Sequence, residues 1–259
     1  MTSAGPVPAA PSDQDRQWAQ HFAAGARYDA PLSTARLARA RRRNTGNIVG
    51  AVVASAAVVA LLVVVVASGF AHVTLIVVAA LFLIAMVFVV RRSLRLRRRN
   101  LRGTDVDGVT VSVGADGLRL PRIPLLPWSA VRGVILYDDS ARNRAQRSVP
   151  IAGWGAAMAL GGGDGSIAAT LAFHDGEAVR ALVRPAEDAR LVRLWSRDAQ
   201  GRVPGDLTLT LDVAMELDQV ARLGAAIAGA AAGAGVPVHR PASTGEYALL
   251  IGRVVEGRA

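Results

Sequence analysis

The chain has no cysteine and no lysine. Without cysteine there is no disulfide framework and no thiolate metal site. Without lysine, all thirty basic residues are arginines. Together with abundant Ala, Val and Gly, this usage fits a GC-rich genome, and a bacterial source such as an actinobacterium is expected. Histidine is scarce, and His21, His72, His174 and His239 show no metal-ligand spacing. Gly161 to Ser166 is rich in glycine, but no lysine follows it, so it is not a Walker loop. It also lacks the spacing of a dinucleotide fingerprint, which leaves a flexible loop. Neither Ser148 nor Ser166 sits in a recognisable nucleophile elbow.

A further absence carries the most information. Ile48 to Ala67 and Ala71 to Val90 hold no formally charged residue, and only Ser68-Gly69-Phe70 separates them. A helix rises about 1.5 Å per residue, so about 20 residues cover the roughly 30 Å of bilayer hydrocarbon. Each run is about that long. Their valine content would suit strands in water, but in lipid the backbone satisfies its own hydrogen bonds and helix prevails. The first run starts too far from Met1 for a cleaved signal peptide. A two-helix transmembrane hairpin over 48–90 is expected.

Arginine sets the expected orientation. Arg36, Arg39, Arg41, Arg42 and Arg43 precede the first run. Arg91, Arg92, Arg95, Arg97, Arg98, Arg99 and Arg102 follow the second, and the gap between the runs has none. Short arginine-rich flanks stay cytoplasmic. Both termini are therefore expected in the cytoplasm, in a multi-pass protein of the bacterial inner (plasma) membrane. Neither span holds an ionisable residue beyond His72 at its outer edge, which argues against a transporter acting alone.

The formal charge of +10 resolves along the chain. Up to Asn47, seven Arg against three Asp leave +4; Arg91 to Arg102 adds +7; from Gly103 onward sixteen Arg against seventeen acids leave −1. The basicity lies at the membrane surface, where anionic lipid attracts each arginine by about 1 kcal/mol. The phospholipid bilayer is thus the expected partner, and nucleic acid is not.

Five regions follow. Residues 1–32 are read as a disordered tail, except that Asp15 to Tyr28 carries Trp18, Phe22 and Tyr28. Trp18 and Phe22 share a helix face, so this stretch is either an interfacial helix on the inner leaflet or loosely ordered. Residues 33–47 form a basic juxtamembrane segment that Ser33 or Thr34 is placed to cap. The spans occupy 48–67 and 71–90. Gly46, Gly50 and Ala54 recur every fourth residue, which suits close packing within the hairpin or a homodimer. Residues 91–103 are a basic linker, and 104–259 a cytoplasmic domain.

In that domain Val109, Val111 and Val113 alternate with polar residues before Gly114-Ala115-Asp116-Gly117 turns the chain into Leu118 and Leu120, a hairpin signal. Further strands are expected at Gly133 to Tyr137, at Leu207 to Leu211 and at Tyr247 to Val255. A second hairpin is expected from Ile167 to Phe173 and Ala178 to Val183 around His174-Asp175-Gly176. Glu187 to Asp198 reads as helical. Val213, Leu217, Val220, Gly224, Ile227 and Ala231 mark a helix that Gly233 and Gly235 end.

The Asp116-Gly117 turn, Leu118-Arg119-Leu120, Pro127-Trp128 with Val131, the meandering strands and the late helix resemble the bacterial pleckstrin-homology-like domain. The resemblance covers roughly residues 104 to 236. It implies an α+β protein in which the hairpin precedes an antiparallel β-barrel capped by a C-terminal helix. It also implies a module that binds lipid headgroups, peptides or proteins and is not an enzyme. Departures from that pattern are the insertion over 138–166, the helix at Glu187 to Asp198 and the strand from Tyr247. Neither catalytic residues nor cofactors are assigned. Arg142, Arg144 and Arg147 are the candidates for contact with a headgroup or an acidic partner, against a solvated loop offset by Asp138 and Asp139. Asp138 and Asp139 are themselves a candidate cation pair, with an exposed loop as the default. The competing functions are a membrane-anchored enzyme using His174 and Asp175, or an accessory subunit of a transport complex.

Overall fold

The structure is a computed structural model, and it describes residues 13–69, 72–98, 109–147, 165–198 and 200–258. Arg99, Arg102, Ser148, the glycines 161–163 and the side chain of Arg147 lie outside the described residues.

Two long helices dominate the first half. Helix α2 (Thr34–Ala67) begins where the Ser33 side chain accepts the Arg36 N–H, and α3 (Val73–Leu96) runs back beside it. Both are long and apolar enough to cross a membrane. At 34 residues, α2 is about 51 Å long, well beyond the hydrocarbon thickness, so its arginine-bearing first turns project past the apolar stretch. Side chains such as Val53, Val63, Val64 and Phe88 stand exposed on the outside of the pair. Asn44, Ala51 and Ala79 are buried between the helices, and Asn44 Nδ2 donates to the Ser93 carbonyl at 3.1 Å.

Gly46 and Gly50 do not serve that contact. Both are exposed, and a Cβ on either would meet nothing within 4 Å. Of this stripe, Gly46 and Gly50 take no part in packing inside the hairpin, whereas Ala54 is half-buried. Along α2 beside α3, Asn44 and Ala51 are buried, and Asn47, Ile48, Ala54, Ser55, Val58, Leu62 and Val65 are half-buried.

The residues before the hairpin fold with those after it. Helix α1 (Asp13–Ala23) packs on α6 (Leu217–Gly233), and β1 (Tyr28–Pro31) pairs antiparallel with β2 (Val109–Gly114), Ala30 opposite Val111. Phe22 and Ala30 belong to the main core. Trp18 stacks on Phe22 at 5.6 Å and meets Tyr28 edge-on at 5.2 Å. The expected tail of 1–32 is thus ordered from Asp13, and its aromatic face rests on α6 rather than on a leaflet. Burying Phe22 and half-burying Trp18 and Tyr28 against an existing core outweighs what a solvated tail would keep in entropy.

Among the described residues the strands form two sheets. The first is β1-β2-β3-β4, with β3 Gly117–Leu120 and β4 Ile123–Pro127. The second runs β7-β8-β6-β5-β9, with β5 Val131–Asp138, β6 Ile167–Phe173, β7 Arg193–Leu194, β8 Gly205–Thr210 and β9 Val238–His239. Only β9 is parallel to its neighbour. The sheets do not close into a barrel, so that expectation is corrected. The chain crosses between them at Trp128, whose indole N–H donates to the Gly114 carbonyl at 2.9 Å.

The second sheet is covered on both faces. Val134 faces the main core while its neighbour Ile135 faces Leu250, Ile251, Val254 and Val255 of the C-terminal helix α7 (Thr244–Glu256). Residues 247–255, expected as a strand, are therefore helix. Their apolar positions fall at i, i+1, i+4 and i+5, and Ser243 accepts the Glu246 N–H as an N-cap. The expected second hairpin is likewise corrected. Asp175 accepts the Ala178 N–H at 3.0 Å and starts helix α5 (Gly176–Leu182) instead of a turn. Residues 186–191 form a 3₁₀ segment, not the start of a longer helix, before β7. In the insertion over 138–166, Ser140–Arg147 is helix α4.

This architecture generates two predictions. Gly117 sits at φ +147°, and a Cβ there would lie 2.2 Å from the Leu126 carbonyl oxygen. Gly117→Ala should cost about 2–4 kcal/mol, read as a lowered Tm. Because Asn44 and Ser93 touch, replacing residues 45–92 with a Gly/Ser linker of about six residues should leave a soluble, cooperatively unfolding protein. Aggregation of that variant would show the spans to be part of the soluble core.

Candidate functional site

Each long helix is rooted in the sheet-bearing body. At α2, the Ser33 N–H donates to the Ala214 carbonyl at 2.7 Å, and the Arg36 guanidinium pairs with Glu216 at 2.7 Å, at the start of α6. Leu37 packs on Val213. At α3, Arg122 donates to the Arg98 carbonyl at 2.9 Å. Arg39, Arg42 and Arg43 point into solvent near the Asn44–Ser93 contact, as do Arg91, Arg95, Arg97 and Arg98. Arg41 and Arg92 are exposed as well. The two arginine flanks thus gather at one end of the hairpin.

Between the last turns of α3 and the soluble body lies an open groove of 1530 Å³. Arg91, Leu94, Arg95 and Arg98 form its α3 wall. The opposite wall comes from α5, the 3₁₀ segment and β7, with Arg180, Arg190 and Arg193. Tyr247 and Ile251 of α7 and Trp195 contribute apolar surface. Asp206 organises this wall. Buried to 4% exposure, it accepts from Arg193 Nε at 2.7 Å and from Trp195 Nε1 at 2.6 Å, while the Arg193 guanidinium lies 4.6 Å over the indole. Asp188 is committed to Arg122 at 2.8 Å. Arg180 and Arg190 donate to the carbonyls of Val192 and Glu187, bonds that hold the side chains and leave their charge uncancelled.

The arginines singled out on sequence for headgroup or partner contact lie elsewhere, whereas Arg91, Arg95 and Arg98 of the flank line the groove. Arg142 donates to Thr244 Oγ1, and Arg144 to Ser140 Oγ at 3.5 Å, both on α4. Asp138 accepts the Ser140 N–H and Asp139 the Tyr137 hydroxyl, so each carboxylate serves its own turn. Among the described residues no cluster of three His, Cys, Asp or Glu is placed to hold a metal ion. Arg180, Arg190 and Arg193 are separated along the chain by a helix and a loop. The one local signal is the Arg190, Arg193 and Arg197 series, of which Arg197 turns to the Gly201 carbonyl.

His174 and Asp175 do not form a dyad. Asp175 caps α5, and His174 Nδ1 accepts from Arg132 Nε at 3.2 Å, which fixes the neutral tautomer with its proton on Nε2. Burial, then the charges of Arg132 and Arg202, hold the His174 pKa below its ordinary value. Burial alone lowers that of His239, which is 4% exposed. Ser166 donates its hydroxyl to Asp212 at 2.8 Å. Comparison with protein-family models, curated proteins and solved structures finds no match to this chain.

A pH dependence follows from the two histidines. Below an ordinary value of 6.5 the unfolded chain takes up protons that the folded chain refuses, so the stability present above that pH is lost as pH falls. The Tm of the detergent-solubilised protein should drop on acidification from pH 7, and His239→Gln should flatten the slope.

Proposed function

We propose that this chain is a non-enzymatic integral protein of the bacterial inner membrane, whose two spans hold a cytoplasmic binding module against the membrane surface. The pairing of β1 with β2 carries the reading: the strand before the spans and the strand after them are neighbours in one sheet, so both flanks must lie on the same side. The arginine collar supports the cytoplasm as that side. The strand–turn–strand over residues 109–131 and Trp128 are what the resemblance to the pleckstrin-homology-like domain rests on, and β1 extends their sheet. In this reading the module binds a lipid or protein partner through the groove beside α3, where uncancelled arginine charge and aromatic surface meet. The outward stripe of Gly46 and Gly50 suits a homodimer in the bilayer. The enzymatic alternative at His174 and Asp175 has no support in geometry, since both side chains are held by structural partners.

The natural absence of cysteine makes the topology directly testable. In intact cells an impermeant thiol reagent should label Ser68→Cys, between the spans, and should reach Ala24→Cys and Ala181→Cys only after permeabilisation. Labelling of Ala24 and Ala181 variants from outside, or of sites on both sides of one sheet, would overturn the arrangement.

A further inference from the structure

We propose that the groove between α3 and the soluble body binds the phosphate-bearing headgroup of an anionic membrane phospholipid, which enters sideways from the leaflet around the spans. The inference rests on the membrane reading above and gives the module's ligand a chemical class.

Charge is the first ground. The lining carries six arginines against three carboxylates, Glu187, Asp188 and Asp206. Asp188 is committed to Arg122, and Asp206 cancels Arg193 of the same lining, which leaves five arginines facing Glu187. Arg91, Arg95 and Arg98 recur at i, i+4 and i+7, so they share one helix face. None of the three has an acidic partner among the described residues. Guanidinium groups from two facing walls suit a phosphate, which accepts paired N–H donors from more than one direction.

Depth is the second ground. The uncharged run ends at Val90, and Arg91 follows at once. From Arg91 to Arg98 a helix rises about 10 Å, comparable with the roughly 5–8 Å of polar layer on each side of the hydrocarbon. The α3 wall therefore lies at the level where lipid phosphates are. An acidic protein segment would have to push into that layer, whereas a lipid arrives by lateral diffusion. The groove is also amphipathic. Leu94, Trp195, Tyr247 and Ile251 supply apolar surface beside the charge, matching the boundary of headgroup and acyl chain where Trp and Tyr concentrate. Its 1530 Å³ exceeds the roughly 300–1,000 Å³ of an ordinary small-molecule pocket, and so accommodates a headgroup with its glycerol backbone.

The experiment uses the full chain in mild detergent, with retained lipid read by native mass spectrometry. Phosphatidylglycerol should be retained about tenfold over phosphatidylcholine, the size of one to two interfacial arginine contacts. Arg95→Glu on α3 and Arg190→Glu on the opposite wall should each abolish the preference. Arg39→Glu, equally basic collar but outside the groove, should keep it, and circular dichroism checks that all three variants fold. If Arg39→Glu and Arg190→Glu lose lipid equally, or if phosphatidylglycerol is not preferred, the site is refuted in favour of diffuse attraction to the collar. Displacement of the lipid by equimolar glycerol 3-phosphate assigns the site to a soluble phosphate, and displacement by an equimolar poly-glutamate peptide assigns it to an acidic protein segment; either overturns the lipid. Release of the chain from membranes by carbonate would sink the membrane reading itself, independently of these arms.

Discussion

Between Pro31 and Val109 the chain leaves the first sheet, runs out through α2, returns through α3 and pairs with the strand it left. That backbone pairing constrains everything else. It places both roots of the hairpin on one body, brings the arginine flanks together, and sets the end of α3 beside the wall made by α5, β7 and α7. A hairpin tethered at one end only would let its collar float. Here Arg36–Glu216 at one root and Arg122 at the other hold the spans in register with the groove.

Polar contacts are concentrated at the roots, where they are needed. In the proposed membrane setting the apolar length of the hairpin relies on packing of small and branched side chains, because apolar burial contributes little between helices already in lipid. Asn44, buried at the arginine-bearing end of the hairpin, adds a directional bond to Ser93 that pins the relative height of the two helices. Asp206 plays the corresponding part in the soluble body. One buried carboxylate positions an arginine and a tryptophan, and in doing so builds a wall of the groove.

Much of this is legible in the order of residues. The spans can be read because a stretch of about twenty residues without charge is rare in a core that folds in water. The β2–β3 turn can be read because its Gly117 has a conformation few residues share. Strand β6 and helix α6 follow from their periods. Helix α7 reads wrongly as strand because of its valine and isoleucine, although Ser243 and Glu246 stand as a capping signal at its start. Around Asp175, turn and cap chemistry use the same residue types, so Asp-Gly reads as a hairpin when it begins a helix. The N-terminal segment has no local signal for its place, since the partner of β1 lies beyond both spans. The groove is hidden for the same reason: its arginines come from four elements that only the fold brings together.

The pairing of β1 with β2 also orders events in time. During synthesis β1 emerges first, with its hydrogen-bonding edge open, while the two spans and then β2 are still to come. The first sheet therefore closes only after both long helices have been made, and α1 waits longer still, until α6 has been made. In the membrane reading proposed above, a sheet whose first strand is held in reserve this way would act as a checkpoint on insertion: only a hairpin that has gone in and come back out can be clasped.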